Sequence, residues 1–212
     1  MAIAVTADII GSRQLADRTV AQRAFDETIA RVEGDLPVAT HGLRPTVGDE
    51  QQGVYPSLEA ALGTILLLRL ALPDGVEFRY GVGIGDVGRV PSTAAEGGIS
   101  DGPGWWAART AIEHVEALQK RAAPSARSWI IAHEGGQQAE AVRWANSALL
   151  ARDEIVGAMS ERVRRLTYGR CLSVTQRELA ASEGITQSAV SQGLSASGAA
   201  VIVEGFHLLG LR

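Results

Sequence analysis

The chain has a single cysteine, Cys171, and a single lysine, Lys120, among its 212 residues. One cysteine excludes an internal disulfide and any cysteine-rich zinc site. The four histidines are scattered without the regular spacing of metal ligands, and arginine carries nearly all of the positive charge. These shortages argue against a disulfide scaffold and against a metal site built from cysteine or histidine.

Long apolar runs are also absent. The aliphatic run Ile65-Leu66-Leu67-Leu68 ends at Arg69, far short of the roughly 20 apolar residues that a membrane-spanning helix needs. The amino terminus lacks a basic segment ahead of a long apolar block, so no secretory signal is expected. The sequence therefore predicts a cytoplasmic protein with no membrane partner.

Bulk composition is that of a folded globular protein. Hydrophobic residues make up 46% of the chain and charged residues 21%. The length suits one main domain of about 150 residues with a small appendage. A net charge of -4 argues against a surface coated with nucleic-acid-binding basic residues, although local basic patches stay open.

The first two-thirds of the chain alternates strand and helix signals. Apolar periodicity and turn residues predict strands at 2–7, 43–47, Gln51–Tyr55, 76–87 and Ser128–Ala132, helices at 17–33, 57–72 and 105–121, and a glycine-rich loop at 97–104. This order of elements is that of a ferredoxin-like palm with an antiparallel sheet and helices. We therefore predict an α+β palm domain over residues 1–135.

Two short acidic motifs are the strongest chemical signal. Asp8-Ile9-Ile10-Gly11-Ser12-Arg13 follows the first apolar strand, and Gly48-Asp49-Glu50 lies in the predicted hairpin. A carboxylate at a strand end and another in a neighbouring hairpin can hold one divalent cation, which in turn can hold phosphates. The plain structural alternative is that both acids only finish strands and cap turns. Glu50 and Asp86 are weaker candidates for the same site.

Two further motifs make the set more specific: Arg79-Tyr80-Gly81-Val82-Gly83-Ile84-Gly85-Asp86 and Ala107-Ala108-Arg109. In this order the four motifs resemble the catalytic core of class III nucleotidyl cyclases over residues 1–135. The whole chain resembles the SatD family of small bacterial proteins, which share the same opening and the same hairpin.

The cyclase resemblance implies a role for each matching position. Asp8, Asp49 and the Ile9 carbonyl would bind Mg²⁺ or Mn²⁺, and Gly11 and Ser12 would present N–H groups to a phosphate. Arg109 would act on the transferring group. The implied cofactors are thus Mg or Mn together with a nucleotide ligand.

The chain departs from the cyclase pattern at the base and ribose. Trp105 stands where the family has the asparagine that positions the ribose, and we find no lysine and aspartate pair that would select a base. Trp105 and Trp106 are candidates to stack on a base or to fill a dimer seam, with one of the two expected in the core. The departures favour nucleotide binding without turnover. The alternative is a nucleotidyl cyclase or related metal-dependent phosphoryl-transfer enzyme.

A helical connector is expected at residues 136–170, as one long helix or two shorter ones. Its far end carries the densest basic cluster of the chain, Arg162, Arg164, Arg165 and Arg170. This cluster is either a solvated helix face or a source of affinity for phosphates.

Residues 171–212 are expected to form a helix-turn-helix domain. Ala180 is small where two helices cross, Gly184 permits the turn, and Ile185, Val190 and Leu194 give the second helix an apolar inner face. The outer side of the unit would then present residues able to contact DNA, namely Arg177, Thr186, Gln187, Ser188, Ser191 and Gln192. Docking of a protein partner is the alternative use of such a fold.

The apolar carboxyl-terminal segment, residues 199–211, is expected to pack on the helix-turn-helix or to pair two subunits. Taken together, the sequence predicts a dimeric, DNA-binding transcription regulator whose degenerate palm binds a nucleotide. A catalytically silent scaffold for a protein partner is the third possibility.

Overall fold

The computed structural model of the chain describes residues 2–11, 18–46, 50–91, 99–133 and 137–211. Within these ranges the strands are β1 (Ile3–Ile9), β2 (His41–Pro45), β3 (Gln51–Tyr55), β4 (Phe78–Ile84), β5 (Gly88–Val90), β6 (Ile99–Asp101) and β7 (Ser128–Ala132). The helices are α1 (Arg18–Asp35), α2 (Leu58–Ala71), α3 (Pro103–Arg121), α4 (Gln137–Gly157), α5 (Glu161–Cys171), α6 (Gln176–Glu183), α7 (Gln187–Ala196) and α8 (Ala199–His207).

The predicted α+β palm is confirmed. Among the described residues, five strands form one sheet in the order β2-β3-β1-β4-β7. Strand β1 lies in the centre and pairs antiparallel with β3 and with β4, whereas β4 pairs parallel with β7. The first four of these strands, with α1 and α2 between them, follow the ferredoxin-like order.

Several boundaries differ from those expected from the sequence. Strand β2 begins at His41, two residues before the predicted start, and β4 is shorter than the predicted 76–87. The predicted glycine-rich loop is partly wrong, because Ile99–Asp101 pairs with Gly88–Val90 as a two-stranded sheet. Residues 97 and 98 of that loop, and Asp17 at the predicted start of α1, lie outside the described residues.

The two faces of the sheet carry different helices. Alternate residues of β1, including Ile3 and Val5, belong to a large core with α1 and α2, where the rings of Phe25 and Phe78 stack. On the other face Ala4 packs with Trp105 of α3. The period of two along a strand thus separates an α1/α2 side from an α3 side.

Helix α3 lies unusually close to the sheet because the strand beneath it has glycines. A Cβ atom added at Gly83 would lie 2.6 Å from the Ala108 backbone nitrogen and even closer to the Gly104 carbonyl oxygen. Both obstacles are backbone atoms, which cannot move aside as a flexible side chain can. The glycines of β4 therefore set the height of α3, and with it the position of Arg109.

Helix α4 is attached to the edge strand β7 by two buried side chains. Asn146 accepts a hydrogen bond from the Ile130 N–H at 2.8 Å and donates one to the Ile130 carbonyl at 2.9 Å. Asp153 is fully buried, and its carboxylate accepts the backbone N–H groups of Arg127 and Ser128 at 2.6 and 2.8 Å. It also pairs with Arg69 of α2 at 2.6 Å.

The expected connector forms two helices, α4 and α5, and the Ser160 side chain caps α5 by accepting the Val163 N–H. Buried residues of α4 through α8 belong to the same hydrophobic core as the α1/α2 side of the sheet. The expected packing of the last apolar segment is also seen, because α8 contacts α5 and α7. The domain boundaries at 135 and 170 stay predictions.

The close approach of α3 can be tested with a matched pair of glycine substitutions. We expect Gly83→Ala to lower the free energy of unfolding by about 1–3 kcal/mol, the usual cost of overpacking. The reason is that the backbone of α3 must move to make room for the Cβ atom. Gly205→Ala places a Cβ on α8 with nothing within 4 Å, so it should be neutral or stabilise by about 0.5–1 kcal/mol. Urea unfolding followed by circular dichroism measures both, and equal effects would contradict the close approach.

The Asp153 attachment makes a second prediction. Asp153→Ala leaves the Arg69 guanidinium and two strand N–H groups without their partner in the interior, so we expect a loss of about 3–5 kcal/mol. Glu116→Ala removes the exposed pair with Lys120 and should cost under about 1 kcal/mol. If urea denaturation gave both variants the same small loss, Asp153 would not be the attachment point that its contacts indicate.

Candidate functional site

Asp8, at the end of β1, faces the α3 side of the sheet and is paired with an arginine. Arg79 on β4 lies opposite it in the ladder and donates from Nη1 to Asp8 Oδ2 at 3.2 Å. Arg79 is itself fixed by Gln119 of α3, whose Oε1 accepts from Nε at 2.7 Å, and Gln119 is anchored on the Ala126 carbonyl. The Asp8 side chain keeps 30% of its surface exposed, so a ligand can reach it.

A second acid and arginine pair lies next to the first. Ala7 pairs with Gln51 in the β1–β3 ladder, which brings Glu50, the residue just before β3, next to Asp8. The Glu50 carboxylate accepts from Gln52 Nε2 at 2.9 Å and from Arg109 Nη1. Because α3 carries Arg109 over this edge, the sheet and the helix together place two carboxylates and two guanidinium groups on one side. Sequence reasoning gave Glu50 only an auxiliary role and missed Arg79.

The other predicted nucleotide and metal residues fall in three places. Gly11 is exposed and has a φ of +67°, directly after Ile10, whose N–H donates to the Glu77 carbonyl. The Ile9 side chain is buried on the α1/α2 side. Ser12 and Asp49 lie outside the described residues. The predicted sharing of an ion by Asp8 and Asp49 therefore stays a prediction.

The tryptophan pair of α3 divides as expected into one buried and one exposed ring. Trp105 packs against Ala4 and Ala108. Trp106 is 56% exposed, donates from Nε1 to Asp101 Oδ1 at 3.1 Å and meets the His133 ring edge-on. A contact between Trp105 and a nucleotide stays a prediction, while Trp106 offers the larger accessible ring.

The described residues do not by themselves make a metal site. Among them, no group of three or more histidine, cysteine, aspartate or glutamate side chains is arranged to hold an ion. Asp8 contributes one carboxylate, and Arg79 already neutralises its charge. A divalent cation prefers several oxygen ligands with little competing positive charge, so Asp8 needs further oxygen ligands before it can hold one.

Helices α6 and α7 form the expected tight helical pair. The Thr175 hydroxyl accepts the Glu178 N–H and the Glu178 carboxylate accepts the Thr175 N–H, which makes a capping box at the start of α6. These hydrogen bonds lower the pKa of Glu178 below its usual value. Gly184 ends α6 with a φ of +65°, and the Thr186 hydroxyl then caps α7 by accepting the Ala189 N–H at 3.1 Å.

The outer side of α7 is polar and exposed. Val190 and Leu194 are buried against the rest of the chain. All six residues that the sequence suggested for DNA contact are exposed or partly exposed: Arg177, Thr186, Gln187, Ser188, Ser191 and Gln192. The surface therefore has hydrogen-bonding groups but no lysine or arginine on α7 itself.

The basic cluster of α5 is largely used inside the molecule. Arg165 pairs with Glu183 and with Glu161 at 2.8 and 2.7 Å, and the hydrogen bonds that it donates to Glu183 are the main reason that the pKa of Arg165 is raised. Arg164 pairs with Asp74 at 2.7 Å, and Arg170 donates to the Val174 carbonyl. Contacts to DNA phosphates from this cluster would have to replace these partners.

Comparisons with solved structures give cyclases at low similarity. A bacterial light-regulated adenylyl cyclase is 13% identical, with 61% of this chain and 74% of that chain covered and a TM-score of 0.45. The adenylyl cyclase CyaB from P. aeruginosa is 14% identical, with 57% and 81% covered and a TM-score of 0.38. An adenylate cyclase from Trypanosoma brucei is 16% identical, with 51% and 67% covered and a TM-score of 0.38.

No curated protein matches the chain. Among the described residues, none of the helices combines the length and the apolar character needed to cross a bilayer. The sequence matches the SatD family over residues 2–205, which is nearly its whole length. The chain therefore belongs to the SatD family.

Proposed function

We propose that the chain is a cytoplasmic, dimeric DNA-binding regulator whose palm binds a nucleotide. The observation that carries the proposal is the geometry of α7, a helix that begins at a tight turn, is capped by Thr186 and has one buried apolar side. Its opposite side exposes glutamine and serine, side chains that form hydrogen bonds with base edges in a major groove. The amino terminus of such a helix also favours a phosphate.

The charge of the surface sets the expected strength of DNA binding. A chain with net charge -4 and no basic residue on α7 gains little general attraction to phosphates. Arg177 is exposed at the start of α6 and is the nearest candidate for a phosphate contact. Two copies that bind two half-sites would compensate for weak contacts in each copy. Dimer formation is thus part of the proposal.

Arg109 supports nucleotide binding at the palm. Its side chain is 62% exposed, and exposed ion pairs contribute only about 0–1 kcal/mol. The bond to Glu50 can therefore give way to a phosphate, which accepts two parallel hydrogen bonds from a guanidinium. Gly11, Ser12 and a cation held by Asp8, Asp49 and the Ile9 carbonyl would supply the remaining contacts to the phosphates.

The enzyme alternative has one observation in its favour. Asp8 and Arg109 both lie on the α3 side of the palm, so a phosphate could contact the groups that a phosphoryl-transfer reaction uses. Incubation with each nucleoside triphosphate and Mn²⁺, followed by chromatography, would detect turnover. Product formation that disappears in Asp49→Asn would favour the enzyme over the regulator.

DNA binding by α7 predicts a specific loss in one variant. Gln192→Glu puts a negative charge on the exposed side of α7 and removes an amide that can contact a base, so affinity for the promoter region of its own gene should fall by about tenfold or more. Ala151→Glu adds the same charge to an exposed position of α4 and should leave affinity within about twofold. Electrophoretic mobility shifts at low salt measure both. No shift with the wild-type protein would overturn the DNA half of the proposal.

Nucleotide binding by the palm makes an independent prediction. A nucleotide at about 100 times its Kd stabilises the native state by about 2.7 kcal/mol, which a thermal-shift screen with Mg²⁺ and Mn²⁺ detects as a rise in Tm. Arg109→Met should reduce this shift at the same concentration, whereas Arg121→Met, exposed at the end of the same helix, should preserve it. If both variants gave the same rise in Tm, Arg109 would not contribute to nucleotide binding.

A further inference from the structure

A cavity of about 190 Å³ lies where the palm meets the carboxyl-terminal helices. Its walls are the loop between α2 and β4, the residue just before β7, the end of α4 and one residue of α5. Phe78 and Ile10 line it from the sheet. Because Phe78 faces the α1/α2 side and its neighbour Arg79 faces the α3 side, the cavity is separate from the Asp8–Arg79 pair.

Three arginines line this cavity: Arg69, Arg127 and Arg164. Their side chains are only 7%, 13% and 13% exposed. Two acids, Asp74 and Glu77, also line it, but their side chains are 68% and 52% exposed. The guanidinium groups are thus largely buried in the cavity wall, whereas the two carboxylates lie at the solvent-exposed entrance and are well hydrated.

The hydrogen bonds of the arginines leave room for another acceptor. Arg127 donates from Nη1 to the Pro124 and Ala126 carbonyls and from Nη2 to Glu77 at 2.8 Å, while its Nε is buried without a hydrogen-bond partner among the described residues. A buried donor without an acceptor is unfavourable, because it has lost its hydrogen bond to water. Arg164 donates from Nη2 to Asp74 and to the Leu72 carbonyl. The ion pairs to the two acids have one exposed partner each and contribute little to stability.

We propose that this cavity is a binding site for a small oxyanion, namely a phosphate or carboxylate group carried by a compact molecule. Planar guanidinium groups match the oxygens of phosphates and carboxylates with paired hydrogen bonds. An entering anion takes over the donors of Arg127 and Arg164 as Asp74 and Glu77 turn out into water. The Arg69 guanidinium is already neutralised by Asp153, so the donors for the anion come from Arg127 and Arg164.

Size and position define what the site can do. Pockets for drug-sized ligands occupy about 300–1,000 Å³, so a cavity of about 190 Å³ matches the size of a small anion. An anion there joins α5, through Arg164, to Arg127 just before β7. Helix α5 in turn supports α7, where Leu166 and Val163 pack beneath Gly193. Occupancy of the cavity therefore exchanges the link between α5 and Asp74 for a link between α5 and Arg127.

Isothermal titration calorimetry with inorganic phosphate and with succinate tests the site at constant ionic strength. We expect one saturable event for at least one of the two anions, and the comparison tells a phosphate group from a carboxylate. Arg127→Met and Arg164→Met keep most of the side-chain length and should each weaken binding about tenfold or more. Asp74→Asn removes a competing acid at the entrance and should strengthen binding several-fold.

The opposite effects of the arginine and aspartate variants separate a real site from a general salt effect or a folding defect. Urea unfolding checks that each variant is folded, and Arg121→Met controls for the loss of one positive charge. No saturable binding of either anion up to roughly 10 mM would overturn the proposal. Binding that Arg164→Met and Asp74→Asn leave unchanged would overturn it equally. Neither result bears on nucleotide binding at the α3 side, which depends on Arg109.

Discussion

The attachment of the carboxyl-terminal helices to the palm depends on the contacts of the Asp153 carboxylate. It lies on α4, accepts the backbone N–H groups at the start of β7, and neutralises Arg69 from α2. Desolvation of Arg69 lowers its pKa, and the charge of Asp153 opposes that change. A charge in the interior is tolerated only when its partner is fixed. Sheet, palm helix and connector therefore meet at one buried acid.

That arrangement explains why the molecule has two chemically different sides. The α1/α2 side extends into the core of the last five helices, so it is largely covered by the chain itself. Among the described residues, the α3 side is covered by one helix, held close by the glycines of β4, and Asp8 and Glu50 lie at its edge. The groups available for a nucleotide thus lie on the less covered side, whereas the cavity lined by arginines lies on the covered side.

Local patterns in the sequence predicted most of the fold and part of the site. The short apolar run of β1, the alternation in β4, the turn at Gly184 and the cap at Thr186 are short-range signals, and each indicated its element correctly. Contacts between distant positions had no such signal. Arg69 and Asp153 are 84 residues apart, and neither stands in a motif. Arg79 stands in a glycine-rich motif that gives it no role, because its position opposite Asp8 follows only from the strand register. The basic cluster of α5 indicated phosphate contacts, but its acidic partners come from other elements.

The two hydrogen bonds between Asn146 and Ile130 have a consequence for assembly. Among the described residues, strand β7 is the last strand on its side of the sheet, where exposed backbone groups would invite another chain to add a strand. The Asn146 amide occupies both backbone groups of the central residue of β7, much as a further strand would. The sheet therefore cannot continue past β7 into the sheet of a second copy. Two copies would have to associate through side-chain surfaces or through the opposite edge strand, β2.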